Sequence, residues 1–247
     1  MDEANKLYDV WVYLQAEPLL WLTLTIGIYL FAMRLYESSG LFPLINPVAI
    51  SIILVSSCLL ILNVEYERYF DGAKFIHFLL GPTTVALAIP IFLNWDTILR
   101  YKKAIVISVL AGTLFAISMT FLLAHGLKLD PLTTKSLLPR SVTAPIAMGI
   151  SELIGGIPSL TAIITILTGI IGAALGAFVL DLFKVKDMAA RGFSFGLASH
   201  GIGTARAMSK NKKAGVFAAV AMGLSGIITA LLIPVIFLVI KDLIWPS

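Results

Sequence analysis

Charge is what this sequence has least of. Of its 247 residues, 18 are Lys or Arg and 14 are Asp or Glu, 13% in all, against about a quarter in a typical globular domain. That is too little to solvate the surface of a water-soluble fold, so a soluble enzyme and a nucleic-acid binder are both excluded. Cysteine is nearly absent. Cys58 alone can form no intrachain disulfide, which excludes a secreted disulfide-stapled module, and it sits in an apolar run as a small hydrophobe. Histidine is also scarce, and no spacing among His77, His125, His200 and Cys58 matches a metal site. The chain lacks paired catalytic acids, a Gly-x-Ser-x-Gly elbow, His-Glu-x-x-His and a phosphate-binding loop. Neither an enzyme nor an ATP-driven pump is expected, and no cofactor or metal. The first residues carry Asp2, Glu3, Asp9 and Glu17 without a basic segment and cleavage site, so no signal peptide is expected.

Hydrocarbon is what the chain has in abundance. Hydrophobic residues make up 59% and the mean hydropathy is +0.97. Between Met148 and Val179 the only charge is Glu152, a stretch longer than the ~20 residues a helix needs to cross a bilayer. The expected fold is all-α: a polytopic transmembrane helix bundle forming a single integral membrane domain over 1–247. About seven or eight apolar segments fit that length, at 19–33, 42–62, 76–93, 104–124, 141–151, 159–182, 192–209 and 214–240. Segment 141–151 is only half of a crossing. Residues 1–17 form a polar lead-in, with Trp11 and Tyr13 suited to an interface.

Glycine and proline interrupt several segments, at Gly81-Pro82 and Pro90, at Gly155-Gly156-Ile157-Pro158, and at Gly201 and Gly203. Proline removes a helical hydrogen bond, and unpaired backbone at membrane depth survives only when buried in protein or facing a watery cavity. Broken segments in both halves of a chain are the sequence mark of a transporter site. A faint echo supports two related halves. Asn46-Pro47-Val48-Ala49 resembles Ala144-Pro145-Ile146-Ala147, and Gly81-Pro82-Thr83-Thr84 resembles Gly201-Ile202-Gly203-Thr204. The repeats would cover 42–125 and 141–240, with broken helices crossing at mid-membrane. The basic loop residues serve as topology determinants. If all eight segments cross, ten basic residues fall on one side and seven on the other, too even a split to orient the chain.

Polar side chains concentrate at Ser199-His200-Gly201-Ile202-Gly203-Thr204-Ala205-Arg206. A half-helix opening at these glycines would offer N–H groups and a positive dipole end to an anion. Thr204 would add a hydroxyl, and Arg206 either a bidentate fork for carboxylate or a side chain that snorkels toward Lys210. His200 either couples protons or forms a neutral hydrogen-bonded helix contact. Thr83 and Thr84 would open a second half-helix after Gly81-Pro82; the bland alternative is a proline-kinked helix. Glu152 is either a coupling acid in a cavity or part of a surface loop. Ser141, Thr143 and Ser151 are further candidates for the cavity lining. Small residues four apart, at Thr168, Gly172 and Gly176 and at Gly169, Ala173 and Ala177, match a close helix contact.

At these residues the chain resembles the LrgB/CidB family, the antiholin-like bacterial membrane proteins. The likeness rests on Leu80 to Ala88, Ser141 to Met148, Gly155 to Ala162 and Ser199 to Ala207. One departure is Ala144, where the family stretch often carries a second hydroxyl before the proline. The resemblance implies two functions. One is control of murein hydrolase export and autolysis with a holin-like partner, LrgA or CidA. The other is transport of small monocarboxylates such as pyruvate, or glycolate and glycerate in a related plant plastid protein that fuses both partners. It also implies an inverted-repeat transporter fold in the bacterial inner membrane and a homo-oligomer. The expected activity is secondary transport of a small carboxylate, with Thr83, Thr84, Thr143, His200, Gly203, Thr204 and Arg206 binding substrate and Glu152 or His200 coupling protons.

Overall fold

The computed structural model of the chain describes residues 17–40, 42, 45–86 and 88–244, with side chains at all of these except 80, 81, 83, 84, 90 and 239–244. The lead-in with Trp11 and Tyr13 lies outside the described residues. Within them every regular element is a helix: α1 (Pro18–Ser38), α2 (Pro47–Ile61), α3 (Tyr66–Ala86), α4 (Ala88–Leu93), α5 (Trp95–Arg100), α6 (Lys102–Gly126), α7 (Pro131–Leu137), α8 (Ala144–Leu153), α9 (Pro158–Leu182), α10 (Met188–Lys210) and α11 (Lys212–Ile244). Four are long and apolar enough to cross a membrane: α1, α6, α9 and the Lys212–Leu238 part of α11. Proline more often starts a helix here than breaks one. Pro18, Pro47, Pro131, Pro145 and Pro158 sit in the first turns of α1, α2, α7, α8 and α9, where the missing N–H has no intrahelical acceptor to lose.

The chain divides into two compact units, 1–88 and 89–247. In the first, α1 packs on α2 and α3. Its anchor is Trp21, 1% exposed, met edge-on by Tyr69 of α3 at 6.2 Å. Gly72 lies so close to the Pro18 carbonyl and Trp21 Cβ that no side chain would fit there. The buried Asn46 caps α2 by accepting from the Val48 and Ala49 N–H groups at 2.9 and 3.2 Å. The sequence places a break at Gly81-Pro82, and the structure corrects this. The α3 backbone runs through Pro82 to Ala86, because one internal proline removes only one hydrogen bond and the rest of the ladder holds.

In the second unit α10 is not one helix. His200 has φ 42° and ψ −131°, and the chain reverses there. Residues 188–199 (α10a) and 201–210 (α10b) lie side by side. A methyl on Gly203 would collide with the Phe195 carbonyl and stand 2.5 Å from Ser199 Cβ, whereas positions 195 and 203 of a straight helix are about 12 Å apart. Ala207 shares a buried cluster with Phe195 in the same way.

The partners confirm the direction of each arm. Along α9, Gly169, Gly172 and Gly176 face His200, Ser199 and Phe195, so α10a runs antiparallel to α9. Along α11, Ala214 and Ala218 press their backbone on Gly192 and Gly196, so α10a runs parallel to α11. Gly215 faces Met208 and Met222 faces Thr204, so α10b runs antiparallel to it. The stripe of small residues on α9 is thus a helix contact, as its spacing predicted. The result is a re-entrant hairpin whose two ends open on the same side. Its first arm rises about 18 Å, a little over half the ~30 Å hydrocarbon thickness.

The sequence leaves open whether 192–209 crosses the membrane or opens at its glycines; the structure makes it a hairpin that reverses at His200. Arg191, Ser194, Ser199, His200, Thr204 and Arg206 are too polar to face lipid in a single helix. Glycines let Ser199, His200 and Thr204 be buried against protein instead.

The hairpin re-sorts the charges. Its ends bring Lys184, Lys186 and Arg191 to the same side as Arg206, Lys210, Lys212 and Lys213. The start of α6 joins them: the Tyr101 ring meets Phe217 edge-on at 5.4 Å, with the Lys213 ammonium 5.8 Å over the same ring. Arg100, Lys102 and Lys103 therefore bring this end to ten basic residues. The opposite end of the unit has Lys128, Lys135 and Arg140, with Lys241 on the last turns of α11, four in all.

At that opposite end Lys135 of α7 lies 5.2 Å over the Phe237 ring. A buried knot ties α7, α8 and α9 together there. The Thr161 hydroxyl donates to Ser136 O at 2.9 Å and meets Ser151 Oγ at 2.8 Å, and the Ile157 N–H donates to Ser136 Oγ at 2.8 Å. Ser151 is thus a structural tie. From the knot α8 points inward, and a methyl on Gly226 in mid-α11 would stand 3.0 Å from Ile146 Cδ1 in its first turn. The N-terminus of α8, with Thr143 as its cap, is its deep end.

Asp187 starts the hairpin by accepting from the Ala190 N–H at 2.9 Å. That bond, aided by the Lys213 ammonium at 3.4 Å, holds its carboxyl below the usual value. A depressed carboxyl stabilises the fold above its unfolded pKa and stops doing so as pH falls through the folded value, so the loss lies below about pH 4. Acid is expected to fray the first turn of α10a, and Asp187→Asn, which caps without titrating, is expected to remove that pH dependence. Acid-protease cleavage within 183–187, wild type against variant at each pH, is the check.

Candidate functional site

The hairpin tip is held by a strip along one face of α9: Thr161, Thr165, Gly169 and Ala173, four residues apart and all buried. His200, 5% exposed, places Nε2 2.9 Å from the Thr165 carbonyl oxygen. That oxygen is a helical acceptor with a second lone pair, so the bond costs α9 nothing. The Thr204 hydroxyl donates to the His200 carbonyl at 2.8 Å, with Met222 Sδ at 3.7 Å. The two bonds fix His200 from both sides, and they sustain a backbone conformation in the left-handed φ region that costs about 1–3 kcal/mol.

Two features at the tip have chemical capacity to offer. The Thr165 hydroxyl is fully buried and has no hydrogen-bond partner, a state that costs about 1–3 kcal/mol unless something is there to bond. The first N–H groups of α10b open at the tip behind Gly201, which has nothing within 4 Å of the place a Cβ would occupy. This is a positive dipole end at membrane depth. Thr113 on α6 and Thr229 on α11 also carry buried, unpartnered hydroxyls.

Of the residues the sequence singles out, the structure brings His200, Gly203 and Thr204 together at the tip. Gly203 is there for proximity, since nothing larger fits between the arms. Arg206 is not at the tip: it lies further along α10b and lines a cavity at the open end of the hairpin with Arg191 and Lys210. Thr143 caps the deep end of α8 with no side-chain cap bond, level with the part of α11 one turn beyond Met222. Glu152 is exposed in the last turn of α8, at the outer end and not at the tip.

Thr83 and Thr84 fall in the last turn of α3, in the other unit, with side chains outside the described ones. Their N–H groups lie within a continuous helix and open none, which corrects the expectation of a second half-helix at that place. Thr165 and Met222 were missed by sequence reasoning. The Gly169–Ala173–Ala177 stripe, extended backward by fours, passes through Thr165 and Thr161, and that was the available signal.

The LrgB-like family profile matches residues 25–239. A protein described as uncharacterized, YwbG of Bacillus subtilis, is 37% identical over 84% of this chain and 92% of its own length. The holin-like protein CidB of Staphylococcus epidermidis is 36% identical over 92% of this chain and 97% of that protein. The antiholin-like protein LrgB of B. subtilis is 35% identical over 85% and 89% respectively. No solved structure matches.

Proposed function

This chain belongs to the LrgB-like family, and from that premise we propose that it is a multi-pass protein of the bacterial inner membrane that carries small monocarboxylates through a site at the hairpin tip. The observation that carries this reading is the tip itself, where a half-helix N-terminus, a buried histidine and the unpartnered Thr165 hydroxyl meet at membrane depth. An anion needs N–H groups and hydroxyls where lipid offers none. His200 is the proton-coupling group, since its ring is the titratable one at the tip. The end with ten basic residues against four faces the cytoplasm by the positive-inside rule, so the hairpin enters from that side. An LrgA/CidA-like membrane protein and further copies of this chain are its partners.

The test is uptake of labelled pyruvate and glycolate into liposomes holding purified protein, with and without a pH gradient. Thr165→Val is expected to raise thermal stability, because it removes a buried unpaired hydroxyl, while weakening substrate affinity about tenfold, the worth of one hydrogen bond. His200→Gln is expected to abolish the response to the gradient. Stability and uptake moving together would mean that Thr165 has only a structural part.

A second reading rests on the relatives' names. Holin-like and antiholin-like favour a regulator of membrane permeability and autolysis, and neither name mentions a carboxylate. Under it the liposomes leak unrelated solutes without saturation, and Thr165→Val leaves the leak intact.

A further inference from the structure

The open end of the hairpin encloses a cavity of about 570 Å³ between α9, both arms of α10 and the start of α11. Lys186, Arg191, Arg206 and Lys210 line it, with Asp181 as the single acid. That acid bonds Arg191, which also donates to the Val185 carbonyl at 2.9 Å. The wall therefore carries four positive charges and one negative, gathered in a concavity by the reversal of the chain at His200. Concave walls of one sign focus the field and raise the local concentration of counter-ions. Deeper in, the lining changes character: Ala177, Phe195, Ala207 and Ala214 form an apolar floor, and Phe195, Ala207 and Ala214 belong to one buried cluster.

We propose that this cavity binds the phosphate headgroup of an anionic phospholipid. A soluble anion needs the cations but gains nothing from the apolar floor. A lipid uses both, with its phosphate among Lys186, Arg206 and Lys210 and its glycerol backbone against the alanines. The volume lies within the ~300–1,000 Å³ that small-molecule pockets occupy, well beyond the needs of an inorganic ion. Basic pockets between membrane helices at the face richest in Lys and Arg are where acidic headgroups bind. The site is separate from the hairpin tip and does not depend on the transport reading. Its occupancy would clamp the two ends of the hairpin together.

Thermal unfolding of the purified full-length chain in detergent, followed by tryptophan fluorescence, tests this. Phosphatidylglycerol is expected to raise the midpoint by about 4–8 °C at saturation, and phosphatidylcholine to leave it unchanged. In Lys186→Gln/Lys210→Gln, where both native side chains are exposed, the shift is expected to vanish. In Lys102→Gln/Lys103→Gln, which removes the same charge at the same end outside the cavity, it is expected to remain. Equal shifts with both lipids, equal loss in both double variants, or the same saturable shift with water-soluble glycerol phosphate would each overturn the assignment.

Discussion

A single methyl group at Gly196 is expected to unseat the hairpin. The Cβ of Gly196→Ala would land on the backbone carbonyl of Ala218, and no rotamer change can move a carbonyl held within the hydrogen-bonded turns of α11. Overpacking of a well-filled core usually costs about 1–3 kcal/mol. Here the obstacle is backbone on both sides, so a loss at the upper end of that range, about 3 kcal/mol, is expected. Gly192→Ala should behave alike, because Ala214 presents its carbonyl in the same manner one turn earlier. The control lies on the same helix as the obstacle. A Cβ on Gly223 of α11 meets nothing within 4 Å, so Gly223→Ala is expected to be neutral or to stabilise by about 0.5–1 kcal/mol, the usual gain from replacing glycine inside a helix. Midpoints of thermal or denaturant unfolding in detergent give the comparison. Equal effects at positions 196 and 223 would contradict the packing described above.

The second large effect is all-or-none. In a Cys58→Ala background, cysteines placed at Lys186 and at Lys212 are expected to react with a membrane-impermeant maleimide from the same side of the membrane. One at Leu129 is expected to react only from the other. These positions precede the hairpin, follow it, and follow α6 in turn, and all three are exposed. A crossing helix at 188–210 would put 186 and 212 on opposite sides. Under the proposed orientation, the shared side of 186 and 212 is expected to be the cytoplasmic one.

Helices were easy to foresee from composition and proline placement; the hairpin was not. Segment 159–182 was legible almost to the residue, because a long apolar run that opens at a proline has one physical solution in lipid. Segment 192–209 was also legible as a helix former, but its reversal depends on one residue, and the obvious candidates for backbone freedom were Gly201 and Gly203. The left-handed φ falls on His200 instead. It is stable there because the ring reaches the Thr165 carbonyl and Thr204 bonds back to the His200 carbonyl, long-range and local contacts that no spacing rule displays. Arg206 illustrates the opposite error. Its proximity in sequence to the tip suggested a ligand, yet six residues of α10b are enough to carry it back toward the open end. The likeness between 81–84 and 201–204 was real as letters and misleading as structure, since one stretch ends a helix and the other begins one.

The re-entrant hairpin also dictates an order of assembly. As each segment leaves the ribosome, α9 and α11 are apolar enough to partition into lipid unaided. The 23 residues of α10 are not, with Arg191, His200 and Arg206 among them. The two walls that accept them, glycines on α9 and the alanine backbone on α11, are both present only once α11 has been synthesised and inserted. The segment that comes earlier in the chain must therefore wait at the surface and settle after the one that follows it. Truncation before α11 would strand the tip outside the bilayer, however well the preceding helices had inserted.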